Sequence, residues 1–412
     1  MVNFERKTLA NGLRVIVHED RNTPLAVVNI QYDVGSRDES PDRTGFAHLF
    51  EHLMFSGSKG APNFDDALQQ AGGENNAFTT NDYTTFYDIV PAENLETALW
   101  LESDRMYALN IGKRAFKVQQ LVVLEEFEET CRNEPYGDSW HYLSELAYQR
   151  HPYRWPVIGL KPEHIAEATH EEVKAFYKRW YAPNNAVLSV AGPVAAEQVF
   201  AWAEKWFGDI PPVELPKRQW PADPPLSGAP RRVVRSGIIP APALYIAFRM
   251  PARLDPDFYG LDLLCDVMAG GHASRLYRRL VKDQALFSSI DAYATGNTDP
   301  GLLVVEGRLN AGVSTEQAEE AIWGELEALC NAPVSEHELL KVKRKFENTV
   351  VFSETSILNK AQNLAYYESL CRAEWMNEEV NVYLQTDAAH IQDCAVRTFV
   401  RDAAVTLIYE PQ

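Results

Sequence analysis

Residues 211–230 read Pro-Pro-Val-Glu-Leu-Pro-Lys-Arg-Gln-Trp-Pro-Ala-Asp-Pro-Pro-Leu-Ser-Gly-Ala-Pro. Each proline fixes φ and removes a backbone donor, so this run sustains neither a helix nor a central strand and predicts an extended linker. It divides the 412 residues into nearly equal parts: a domain at 1–210, the linker at 211–230 and a domain at 231–412. The two parts share a faint repeat. Ala26–Tyr32 followed by Gly45–Leu53 has the layout of Ala243–Phe248 followed by Gly260–Met268, an alternating strand leading through a polar loop into an apolar-faced helix opened by glycine. Amphipathic stretches at Ala92–Leu109, Lys113–Thr130 and Ser314–Cys330 predict long helices between short strands rich in Val, Ile and Tyr. The expected fold class is α+β: two homologous halves, each a mainly antiparallel sheet covered by helices.

Composition excludes several classes of function. With 39 Lys plus Arg against 58 Asp plus Glu, the net charge is −19, which opposes a phosphate-binding surface and removes nucleic acid as a main partner. No stretch reaches the ~18 consecutive apolar residues of a membrane span. The N-terminus runs directly into the alternating Leu13–Val17 without an export signal, which places the chain in the cytoplasm, or in the periplasm if a signal has been trimmed. The five cysteines are scattered and contain no Cys-x-x-Cys pair, so the sequence indicates neither a disulfide framework nor a thiolate zinc site.

One pattern carries chemistry. His48-Leu49-Phe50-Glu51-His52 lies on a helix-compatible stretch whose Phe46, Leu49, Phe50 and Leu53 would bury one side. His48 and His52, four apart, then project one turn from each other, the spacing at which two imidazoles share a tetrahedral metal. Glu51 lies on nearly the same face, where a carboxylate can take a proton from a metal-activated water and deliver it to a leaving amine. With ten His in the chain and Glu at roughly 8 %, chance yields this pattern on the order of 0.02 times in a sequence of this length. An open zinc site typically takes a third protein ligand. Acids follow the apolar run Leu121–Leu124, at Glu125, Glu126, Glu128 and Glu129; helical spacing sets Gln119, Val122, Glu126 and Glu129 on one stripe, so Glu126 is the candidate.

Three stretches, His48–Ser58, Gly72–Thr79 and Val122–Phe127, together resemble the inverted-motif zinc metallopeptidases, the family of pitrilysin, insulin-degrading enzyme and the mitochondrial processing peptidase. The resemblance covers essentially the whole chain and is nearest to the short bacterial, zinc-bearing type. It implies one Zn2+ per chain, with His48, His52 and Glu126 as ligands and Glu51 as the base. It also implies a half-clamshell that pairs with a second chain to enclose peptides. Around the Asn81-Asp82 turn, Asn76–Tyr87 reads as two strands, and the resemblance makes Asn76, Ala77 and Phe78 the edge on which a peptide substrate is added as a further strand.

Two departures from the family pattern stand out. A glutamate usually found seven residues before the third ligand, as a partner of the site, is Gln119 here, which can orient an imidazole but carries no charge. An Arg and a Tyr seven residues apart in the second half, which face the zinc in complete members, fall on Val281 and Ser288. Arg275, Tyr277, Arg278 and Arg279 precede that register and read as a surface basic cluster. The expectation is a zinc endopeptidase for short or unfolded peptides, working as a heterodimer with a homologous zinc-free subunit that supplies Arg and Tyr, or as a homodimer. The alternative is a non-catalytic structural subunit of the same fold.

Overall fold

The strand signals resolve into two sheets in the computed structural model, which describes all 412 residues. In the first sheet are β1 (Glu5–Thr8), β2 (Arg14–Glu19), β3 (Leu25–Tyr32), β4 (Glu74–Thr79), β5 (Thr84–Pro91) and β6 (Ala186–Gly192), ordered β1-β2-β6-β3-β5-β4. The second contains β7 (Arg231–Ser236), β8 (Ala243–Arg249), β9 (Phe287–Ala294), β10 (Leu302–Leu309) and β11 (Val405–Pro411), ordered β7-β11-β8-β10-β9. Pairing is antiparallel except for β2 with β6 and β7 with β11, which run parallel. The sheets match strand for strand, with β1 an extra edge in the first. The α+β class and the internal repeat are both present.

The chain forms two compact units that interleave. One comprises Met1–Phe127, Trp155–Trp220 and Val350–Glu378; the other comprises Glu128–Arg154, Pro221–Thr349 and Glu379–Gln412. The contiguous ranges 1–210 and 231–412 therefore do not describe them, and packing explains why. Every residue of β6 is buried, so the first sheet needs cover on both faces. Leu188 and Val190 join Leu49, Phe50, Leu95 and Leu99 on one side, whereas Val187 and Ala191 meet Ala361, Leu364 and Ala365 on the other. Those last three belong to the helix Ile357–Leu370, which returns late in the chain to cover that face. In the other unit, Leu143 and Ala147 of the helix Ser139–Ala147 pack with Tyr245, Ala247, Val405 and Leu407, which draws residues 128–154 to the second sheet. Residues 211–230 contain no helix or strand, as their prolines dictate.

The expected helices form at Leu95–Ala108, Lys113–Phe127 and Thr315–Asn331, the last capped by Ser314 accepting from Gln317 N–H at 3.1 Å. One expectation is corrected. Gly45 does open the helix Phe46–Leu53, but its counterpart Gly260 sits inside the helix Pro256–Ala269. That helix starts earlier because Asp255 caps it, accepting from Asp257 N–H at 2.9 Å, and Pro256 takes a first-turn position where a missing N–H costs nothing.

Candidate metal centre

The helix Phe46–Leu53 is fixed before its polar face does anything. Leu49, Phe50 and Leu53 are buried, and Phe50 stacks on Phe176 at 5.3 Å between ring centroids. The chain enters through Gly45 at φ +86°, a left-handed conformation that glycine adopts without strain. A Cβ on Gly45 would also lie 2.8 Å from the Ile158 carbonyl oxygen. The opening N–H groups are met by the buried Glu39, whose Oε2 and Oε1 accept from Gly45 and Ala47 N–H at 2.8 Å each. Burial pushes the Glu39 carboxyl well upward, and these two amide bonds and the positive end of the helix oppose that shift.

With that face buried, His48, Glu51 and His52 emerge together, each partly exposed. Glu126 arrives from the last turn of the helix Lys113–Phe127, anchored by the buried Phe116, Val123 and Phe127, where the chain widens into a π-helical turn, Glu128–Asn133. Gln120 pins this helix by donating to the Ile165 carbonyl at 2.6 Å. The ligand-type atoms cluster, one from each residue, within 4.8 Å of one another. His48 Nε2 lies 3.3 Å from His52 Nε2 and 3.6 Å from Glu126 Oε1, and His52 Nε2 lies 3.2 Å from Glu126 Oε2. A tetrahedral ion ~2.0–2.2 Å from nitrogen and oxygen donors needs those donors about 3.3–3.5 Å apart, so the donor set fits zinc. Protonation fits as well. Burial lowers the His48 pKa and favours the neutral ring, while the hydrogen bond from His52 lowers that of Glu126 and favours the carboxylate.

Glu51 points alongside this cluster, and its Oε2 accepts from Thr79 Oγ1 at 2.7 Å. Thr79 ends β4, the open edge of the first sheet. On that edge Asn76 and Phe78 are exposed and Ala77 is half-buried, and the Ala77 N–H donates to Asn76 Oδ1 at 2.8 Å instead of to a neighbouring strand. Gln119 is half-buried on its helix and makes no hydrogen bond to either imidazole, and His48 Nδ1 is buried without a partner. Outside the motif, His18 Nδ1 lies 2.6 Å from the Asn3 carbonyl and His164 Nδ1 2.8 Å from Thr44 Oγ1, both structural contacts.

In the second unit, Val281 sits in the turn Tyr277–Asp283, and Ser288 is exposed on β9, donating to the Arg308 carbonyl. Arg275 and Arg279 are not free surface cations. Glu338 holds Arg275 through two bonds of 2.7 and 2.9 Å, and Glu325 holds Arg279. Sequence reasoning missed Glu39 and Thr79. A signal existed for Thr79, since alternation along β4 puts it on the Ala77 side, toward the motif helix. Glu39 lies in an irregular loop and had none.

Residues 14–159 match the family Insulinase (Peptidase family M16), and residues 167–346 match the Peptidase M16 inactive domain. The zinc protease PqqE of Helicobacter pylori is 30 % identical over 344 residues, 82 % of this chain and 77 % of that protein. The chain belongs to the M16 peptidase family. Another relative in it, described as an uncharacterized zinc protease YmxG of Bacillus subtilis, is 25 % identical over 98 % of each chain. The crystal structure of a protease from Helicobacter pylori superposes with a TM-score of 0.93 at 26 % identity over the full length of both chains. The periplasmic protease PqqL of Escherichia coli shares the M16 fold, with a TM-score of 0.80 at 17 % identity, and this chain covers 48 % of its length. No helix is long and apolar enough to cross a membrane.

Proposed function

We propose that this M16 chain is the zinc-bearing subunit of an endopeptidase for short or unfolded peptides, with His48, His52 and Glu126 holding one Zn2+ and Glu51 acting as the base. The observation that carries this reading is the cluster of His48, His52 and Glu126, each imidazole nitrogen within 3.6 Å of a Glu126 oxygen and 3.3 Å from the other, with Glu51 on the helix that carries both histidines. When bound, zinc supplies Lewis acidity, polarising a peptide carbonyl and bringing the pKa of water toward ~7. The chain's own residues do the rest. Glu51 takes the proton of the attacking water and later passes it to the departing amine, a transfer whose geometry Thr79 Oγ1 holds through Glu51 Oε2. β4 receives the substrate: an incoming strand replaces Asn76 Oδ1 as partner of the Ala77 N–H, and the exposed Asn76 and Phe78 line its path. Such pairing uses main-chain groups, so sequence preference would be loose.

Val281 and Ser288 offer neither a guanidinium nor a phenol, and losing an oxyanion donor typically costs about 10²–10³ in rate. We assign those groups to a second, homologous, zinc-free chain that closes a chamber with this one. The length of PqqL, about twice that covered by this chain, supports a complete enzyme of two such portions.

The test is hydrolysis of an internally quenched, unstructured peptide by the zinc-loaded chain, with Glu51→Gln as control. Turnover that a chelator removes, zinc restores and Glu51→Gln abolishes supports the site. Robust turnover by the chain alone overturns the need for a partner. Zinc bound stoichiometrically without turnover, followed by activity on adding a zinc-free homologue, supports it.

A further inference from the structure

A second set of ligand-type side chains lies within the compact unit that does not carry the motif helix. Asp257 stands in the first turn of the helix Pro256–Ala269, and His390 and Cys394, four apart, share a face of the helix Ala388–Thr398. Cys394 Sγ lies 3.6 Å from Asp257 Oδ1 and 3.6 Å from His390 Nε2, and those two atoms are themselves 3.6 Å apart. The donors thus form a nearly equilateral triangle. A tetrahedral zinc ion sits ~2.3 Å from sulfur and ~2.0–2.2 Å from nitrogen and oxygen, which sets its sulfur edges at about 3.5–3.6 Å and its nitrogen–oxygen edge at about 3.3–3.5 Å. Three corners of that tetrahedron are in place.

The surroundings hold them there. Arg397 donates to Asp257 Oδ2 at 2.5 Å, which turns Oδ1 toward the imidazole and the thiol. Asp387 caps the second helix by accepting from His390 N–H at 2.8 Å, fixing the turn that carries the imidazole. Gly260, which does not open its helix, has its role here. A Cβ on it would lie 3.1 Å from Cys394 Sγ and 3.2 Å from His390 Cδ2, so glycine lets the two helices approach closely. Arg397 Nη2 also donates to Cys394 Sγ at 3.6 Å and His390 Nε2 lies 3.4 Å from the Pro256 carbonyl, contacts an arriving ion displaces. Cys394 itself is buried, and His390 is about one-third exposed, which leaves an approach for an ion and a water.

We propose that Asp257, His390 and Cys394 form a second metal site, taking a borderline-soft divalent ion of which Zn2+ is the best match, with water in the fourth position. Thiolate and imidazole donors select zinc over magnesium or calcium, whose sites are built from oxygen. Binding exchanges the thiol proton, now donated to Asp257 Oδ1, for the metal and releases that proton to solvent. The ion would clamp the start of the Pro256–Ala269 helix to the Ala388–Thr398 helix, a role in holding the second sheet's helices rather than in peptide hydrolysis.

Cobalt distinguishes this site from the motif site, which has no sulfur. The full chain loaded with Co2+ alone is expected to show a sulfur-to-cobalt charge-transfer band. His52→Ala should retain the band, and Cys394→Ser should lose it together with one equivalent of bound metal. His390→Ala should do the same if serine at 394 prevents folding. Absence of the band in the metal-loaded wild-type chain overturns the proposal. So does a band that survives Cys394→Ser, because the sulfur would then come from another thiol, such as the exposed Cys371.

Discussion

The helices Phe46–Leu53 and Pro256–Ala269 occupy equivalent places beside sheets of one topology, yet only the first presents paired imidazoles. The first is eight residues long, enters through a left-handed glycine and has its N–H groups held by a carboxylate from a preceding loop. The second is 14 residues long and capped by its own flanking aspartate, and it buries Leu263 and Val267 where the first has His48 and His52. At the place of Glu51 stands Asp266, which pairs with Lys345 at 2.6 Å. The sheet scaffold therefore carries no chemistry of its own. Chemistry follows from which helix face is left uncovered and how rigidly the helix start is held.

The largest test of that contrast exchanges the two acids for their amides. Glu51→Gln should lower peptide hydrolysis by about 10²–10⁴-fold with zinc content unchanged, the range general acid–base catalysis commands. Asp266→Asn should leave turnover within about twofold and cost no more than the ~0–1 kcal/mol of a surface ion pair. Parallel rate and zinc measurements on the two variants check this. Comparable losses of activity in both would break the asymmetry.

The two helix starts come next. Gln in place of Glu39 can accept only one of the Gly45 and Ala47 N–H groups, and its amide would face the other, leaving a buried donor unmet at a cost of about 1–3 kcal/mol. Asp255→Ala removes an ordinary cap and should cost about 1 kcal/mol. Denaturant unfolding measures both, and zinc affinity should fall only in the first. If Glu39→Gln leaves zinc affinity untouched, the carboxylate is a stability element alone.

How far the sequence revealed this can be judged residue by residue. Period-two and period-3.6 patterning gave the strands, the long helices and the repeat, because burial alone sets those patterns. The spacing of His48, Glu51 and His52 placed three groups on one face, because a helix is a local structure with fixed geometry. What stayed hidden depends on distant contacts. The helix Ile357–Leu370 belongs with the first sheet because β6 needs cover on both sides, and no local signal records that. Glu39 acts on a helix it does not belong to. Asp257 and Cys394 are 137 residues apart, so counting cysteine pairs could not bring them together. Gly260 read as a helix opener because glycine signals a boundary more often than a close contact.

Acid titration compares the two units most finely. In the first, Lys360 donates to Asp20 at 2.6 Å and draws its carboxyl from 3.8 to about 2; in the second, Arg275 grips Glu338 and draws it from 4.5 to about 2. A carboxyl whose folded pKa lies below its unfolded value binds fewer protons when folded. Its stabilisation is therefore fully present above the unfolded value and is lost as pH falls toward the folded one. Both pairs are partly solvated, so screening keeps each to about 1 kcal/mol or less. Asp20→Asn and Glu338→Gln should thus be slightly less stable than the wild-type chain at neutral pH. The gap should close as pH falls from about 4 to 2 for Asp20, and from about 4.5 to 2 for Glu338. Urea unfolding across that range measures it. A gap that stays constant with pH would assign the loss to packing rather than to charge. Closure at one residue only would show that the ion pair matters in one unit and is incidental in the other.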